Sequence, residues 1–116
     1  MHDYGGLYIV THPNKVKGNT YERALVNQAK ALGLEAVRAY ASDGRSLGKS
    51  EKVDLIIEGV TIQAKRRKQL AAYMMIPDNV DIVVMRGDRE ESLAVVPFEK
   101  ILRLIKEGKW EEDNNE

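Results

Sequence analysis

Apolar residues fall into short alternating runs separated by turn formers, with two stretches that instead repeat every three to four positions. The first helical stretch begins at Asn19 or Thr20, either of which can cap it, and runs to about Ala31, where Gly33 stops it. Leu25, Val26, Ala29 and Leu32 form its apolar face. Residues 34–40 alternate as a strand, and 41–52 have the Ser, Gly and Asp content of a mobile loop. Residues 53–57 and 60–65 read as two strands joined at Glu58-Gly59. Residues 69–76 suggest a short helix ended by Pro77, and 80–86 and 93–96 two more strands around a GDREES turn. Pro97 opens a last helix with Phe98, Ile101, Leu102 and Ile105 inward. Helix, three strands, helix, two strands, helix implies an α/β fold with a mixed central sheet flanked by helices.

The hairpin register carries the chemistry. If Ile57 pairs with Val60 across a two-residue turn, Asp54 lies opposite Gln63; a four-residue turn keeps that register and a three-residue turn would shift it. Lys65 is two residues beyond Gln63 and points to the same face. A carboxylate, an amide and an ammonium then converge, a set suited to holding a divalent cation beside a phosphate. Glu22 precedes the apolar helix positions on the inward side, where an acid is costly without a partner. The alternative is a first-turn acid that favours the helix dipole.

Length and composition set limits. At 116 residues, 43% hydrophobic and 31% charged, the chain is one domain with short tails. We divide it into an N-terminal arm (1–18, with a short strand at 7–11), a main domain (19–110) and an acidic tail (111–116) expected to be disordered. The absence of cysteine excludes disulfides and thiolate chemistry. No signal peptide or membrane span is evident, so a cytoplasmic location is expected. The zero net charge hides an asymmetry: four of the 18 acids lie in the last six residues, while residues 38–68 hold eight bases and four acids. Such a patch suits a polyanion, although solvated charge runs are common. His2 and His12 have no ligand partner at useful spacing, and Gly87 to Arg89 read as a plain turn.

Glu22 on a helix, Asp54 on a strand, then Gln63-x-Lys65 is the order and spacing of a PD-(D/E)XK nuclease core. Residues 17–42 further resemble the opening of archaeal-type Holliday junction resolvases. Lys17-Gly18, Glu22-Arg23 and the Gly33 to Arg38 strand carry the likeness. The resemblance spans about residues 15–96 and implies a restriction-endonuclease-like core in a homodimer that resolves four-way DNA junctions. It implies Mg²⁺, with Mn²⁺ able to substitute, held by Asp54, Gln63 and Glu22. Lys65 would face the attacking water, and Ser42 matches a loop serine that assists catalysis. Lys17, Arg38, Arg45, Lys49, Arg66, Arg67 and Lys68 would contact DNA.

Gln63 departs from the usual glutamate; some Mrr-like relatives have the same Gln-x-Lys pair. A neutral carbonyl oxygen can coordinate Mg²⁺ but adds no charge. Glu58 and Asp43 are nearby acids that can compensate. An Mrr-like or repair nuclease, and a non-catalytic nucleic-acid-binding module, remain the alternatives.

Overall fold

The computed structural model describes residues 13–111, with side chains from Asn19 onward. Two helices, α1 (Pro13–Ala31) and α2 (Phe98–Lys106), accompany two antiparallel sheets. Strands β1 (Ala36–Arg38), β2 (Leu55–Ile57) and β3 (Val60–Ile62) form one sheet with β2 in the centre; β4 (Val83–Met85) and β5 (Leu93–Val95) form the other.

Helix α1 starts at Pro13, six residues before the expected cap at Asn19. Proline is suited to a first turn because its fixed φ is already helical and its missing N–H is not needed there. Part of the expected arm is therefore helix, while the expected strand at 7–11 and the tail at 112–116 lie outside the described residues. The helix ends as expected. The Gly33 N–H donates to the Lys30 carbonyl at 2.9 Å and the Leu34 N–H to the Ala29 carbonyl at 3.1 Å. That paired closure satisfies the last carbonyls and folds Leu34 back onto Ala29 in the core.

The core lies between α1, α2 and one face of the three-stranded sheet. Leu55, Ile57, Leu102 and Ala29 are fully buried, with Leu25, Val26, Leu34 and Ile105 around them. Phe98 and Ile101 pack at its border, so α2 presents the expected stripe. Burying a side chain such as Leu55 or Ile57 contributes roughly 1.5–3 kcal/mol.

The β2–β3 register is the one the sequence implies, with Leu55 opposite Ile62 and Ile57 opposite Val60. The two-residue turn has φ of 48° at Glu58 and 81° at Gly59. Positive φ at both positions matches the right-handed twist of the flanking strands, and Gly59 takes it without penalty. Glu58 is held there by a second tie, its carboxylate accepting the Glu35 N–H at 2.6 Å.

Four expectations are corrected. There is no single mixed sheet among the described residues: β4 and β5 pair only with each other, and every pairing is antiparallel. A parallel neighbour for β3 needs a substantial crossover, usually a helix. The expected helix at 69–76 is instead one 3₁₀ turn, Ala72–Met74, with Leu70, Tyr73 and Met75 exposed. With so little apolar surface to bury, a helix this short has no tertiary support. Strand β3 also stops at Ile62 rather than 65, where the basic run begins. Lastly, the expected mobile loop folds into two 3₁₀ turns, Tyr40–Ser42 and Gly44–Leu47. Gly44 is buried there, and a Cβ on it would collide with the Ser50 carbonyl and the Val53 side chain.

Candidate active site

Only two charged side chains are buried among the described residues, Glu22 and Asp54, and both were picked out by spacing. Glu22 lies on the inward face of α1, as the apolar periodicity requires. The β1–β2 register sets Arg38 opposite Leu55, on the face that α1 covers. Its guanidinium consequently reaches Glu22 at 4.0 Å and donates to the Asn19 carbonyl at 3.3 Å. The chain then turns sharply after β1. Ala41 and Ser42 adopt φ of 51° and 56°, an uncommon conformation for two successive non-glycine residues. This turn sends the Ser42 hydroxyl to the Glu22 carboxylate, where it donates across both oxygens at 3.0 and 2.9 Å.

Asp54 enters from the start of β2. Its backbone is held on both sides: its N–H donates to the Ile62 carbonyl at 2.9 Å, and its carbonyl accepts the Ala39 N–H at 2.8 Å. Its carboxylate accepts the Ala64 N–H at 2.7 Å. Asp54 therefore bonds to both chain neighbours of Gln63, while the paired register itself ends at Leu55 opposite Ile62. Every buried side-chain polar atom among the described residues has a hydrogen-bond partner.

The electrostatics of this cluster are unfavourable to negative charge. Burial pushes the Glu22 carboxyl above its ordinary value; the Ser42 hydrogen bond opposes this, the nearby Asp54 charge adds to it, and Arg38 offsets part. Two desolvated carboxylates that repel each other form a place where a cation would be favoured. Glu22 and Asp54 thus fit the acidic part of a divalent-metal set. No group of three or more His, Asp or Glu side chains gathers at metal-binding spacing among the described residues.

Gln63 and Lys65 are exposed, alternating with half-buried Ile62 and Ala64, so they share a side of the chain as the period of two requires. Neither is hydrogen-bonded or ion-paired to Glu22 or Asp54 among the described residues. The structure brings together Glu22, Arg38, Ser42 and Asp54, and leaves Gln63 and Lys65 beside them in solvent. Neither suggested compensating acid joins the group. Glu58 sits at the hairpin turn, at the far end of β2 from Asp54, bonded to Glu35. The Asp43 carboxylate is occupied by Arg45, whose Nε donates to it at 2.9 Å. That guanidinium holds the Asp43 carboxyl below its usual range.

Of the expected DNA contacts, Lys49, Arg66, Arg67 and Lys68 are exposed. Arg45 is exposed but paired with Asp43, and Arg38 is turned inward to Glu22. Lys17 falls in α1, but its side chain lies outside those described. Sequence reasoning overlooked a groove of about 320 Å³ between α1 and β1, with Arg23, Lys30 and Arg38 in its lining and no acid. Arg23 and Lys30 are two helical turns apart on α1, a spacing that would have signalled a shared side. No helix among the described residues is long and apolar enough to cross a membrane. No protein-family model, curated protein or solved structure matches this chain.

Proposed function

We propose that this chain is a metal-dependent, structure-specific DNA endonuclease of the PD-(D/E)XK kind that resolves four-way junctions by symmetric phosphodiester hydrolysis. The supporting observation is the burial of Glu22 and Asp54 in one cluster with Ser42, with Asp54 bonded to Ile62 and Ala64, the chain neighbours of Gln63. Asp54, Gln63 and Glu22 would hold Mg²⁺, or Mn²⁺ in its place. When bound, the ion would neutralise phosphate charge and promote water as a nucleophile.

Asp54 is suited to its part because two backbone bonds fix its position before any ligand arrives. Ser42 keeps Glu22 oriented and favours its charged form. Lys65, free in solvent, would turn to the scissile phosphate, orient the water and balance charge developing on the phosphoryl oxygens. Lys49, Arg66, Arg67 and Lys68 would contact the backbone on either side, positioning without reading sequence. A four-way junction has two-fold symmetry, so paired cuts call for two copies related by a two-fold axis.

The second reading is a nucleic-acid-binding module that does not cut. It is favoured by the exposure of Gln63 and Lys65, neither of which is bonded to the two buried acids. Incubation of a labelled four-way junction, a duplex and a single strand with Mg²⁺ or with EDTA separates the two. Paired nicks in the junction, present with Mg²⁺ and absent with EDTA, are expected. Tight junction binding without nicks in Mg²⁺ or Mn²⁺ selects the second reading, and cutting of linear duplex as fast as junction selects an Mrr-like or repair nuclease.

A further inference from the structure

The turn that delivers Ser42 also fixes Tyr40, whose residue surface is 82% exposed. Its backbone has little freedom. Ala39, one residue earlier, is buried and donates its N–H to the Asp54 carbonyl at 2.8 Å. The Tyr40 N–H donates to the Ser46 hydroxyl at 3.1 Å, and its carbonyl accepts the Asp43 N–H at 3.0 Å. The next two residues are the left-handed Ala41 and Ser42. An aromatic ring is thus held outward on a strained, over-determined turn, two residues from a hydroxyl that touches a buried carboxylate. Strain of that kind persists only where the surroundings enforce it, and it concentrates at working sites. Among the described residues, no hydrogen bond to the Tyr40 phenol accounts for the position.

We propose that Tyr40 is a stacking platform for an unstacked nucleobase at the branch point of the DNA, and so a positioning residue that sets the strand against the Glu22–Asp54 cluster. This rests on the proposed function, since a linear duplex offers no unstacked base. An exposed ring on a rigid backbone loses little freedom when it binds, and any base presents a π-face, so stacking adds affinity without sequence preference.

The test is binding in EDTA, which removes cleavage from the readout. The probe is a four-way junction with 2-aminopurine beside the branch point, compared with a linear duplex of matching arm sequence. Wild type, Tyr40→Phe, Tyr40→Ala and Tyr73→Ala are measured, the last because Tyr73 is also exposed but lies in the 3₁₀ turn after the basic run. Thermal unfolding of each variant confirms that the fold survives. Wild type and Tyr40→Phe should bind the junction equally and quench the branch-point emission. Tyr40→Ala should bind it at least about fivefold more weakly and leave the emission unquenched. Duplex affinity should not change in any variant, and Tyr73→Ala should match wild type throughout. Junction binding and quenching by Tyr40→Ala equal to wild type would overturn the stacking role while leaving the nuclease reading intact. An equal loss on junction and duplex would reduce Tyr40 to a general contact. Absence of any wild-type preference for junction over duplex would defeat the proposed function itself, and the stacking role with it.

Discussion

The Ser42 hydroxyl donates to both oxygens of Glu22, joining a strained loop to a buried helical acid across 20 residues of sequence. That contact favours the charged carboxylate, which burial, the largest influence, and Asp54 both oppose. Glu22 carries a raised pKa in the folded chain, so its contribution to stability is fully present below the ordinary carboxylate range. It is lost as pH rises through the raised value.

Glu22→Gln should therefore be more stable than wild type at pH 7 and equal to it at pH 3. A gain of about 1 kcal/mol would raise Tm by roughly 4–8 °C in a domain of this size. Ser42→Ala should act in the opposite direction, losing about 1.5–3 kcal/mol at pH 7 because a hydrogen bond to a charged group disappears. Its loss should shrink on acidification. Thermal unfolding of the three proteins between pH 3 and 8 checks both statements; a Glu22→Gln deficit at pH 7 would mean that the Ser42 and Arg38 contacts outweigh burial.

Asp54→Asn should abolish Mg²⁺-dependent nicking while leaving fold and junction binding in place. An asparagine oxygen can still accept the Ala64 N–H, so the strand junction survives. Loss of the charged ligand should lower cutting by on the order of 10²-fold or more. Asp54→Ala should add a stability loss of about 1–3 kcal/mol, from an Ala64 N–H left without its acceptor. Cleavage rates and unfolding midpoints of the pair separate chemistry from structure, and full activity in the Asn variant would remove Asp54 from the site.

Lys65→Ala should stop cleavage, and Arg67→Ala should mainly weaken binding. Lys65 alternates with half-buried Ala64 and lies on the same side of the chain as Gln63. Arg67 is further along the basic run and donates to the Arg66 carbonyl at 3.1 Å. A lost phosphate contact should flatten the dependence of log K on log salt by about 0.9. Normal cutting by Lys65→Ala alongside a dead Arg67→Ala would show that another lysine or arginine serves the phosphate.

What could be read from the sequence was set by local physics. The Ile57–Val60 register followed from the two-residue Glu58-Gly59 turn, and Glu22 followed from its place ahead of Leu25, Val26 and Ala29. The helix stop at Gly33 and the inward stripe of α2 are equally local. The pairing of Arg38 with Glu22 was not legible, because it depends on how α1 lies across β1. The separate β4–β5 sheet was missed for the same reason: strand signals at 83–85 and 93–95 say nothing about which neighbours they choose. The helix start at Pro13 was missed by preferring a polar cap over proline. The turn at Ala41 and Ser42 had no signal at all, since neither residue type favours positive φ.

Gln63→Glu tests the departure from the family pattern and bears on the most open part of the site. Gln63 is exposed, and both of its chain neighbours are bonded to Asp54, so its backbone lies beside the cluster while its side chain is not part of it. If Gln63 completes a metal site, glutamate places a charged oxygen in the same position and should shift the Mg²⁺ requirement to lower concentration while preserving cutting. A third carboxylate beside Glu22 and Asp54 also increases repulsion in the metal-free protein, so the variant should be less stable without Mg²⁺ and regain stability when it is added. A natural binder that does not cut would be inert as wild type, and Gln63→Glu would then gain cleavage. The measurement is cleavage rate of one four-way junction against Mg²⁺ concentration, with Tm recorded at each concentration. Superimposable rate and Tm curves for the two proteins would exclude Gln63 as a ligand and leave Glu22 and Asp54 as a structural pair tied down by Ser42 and Ala64.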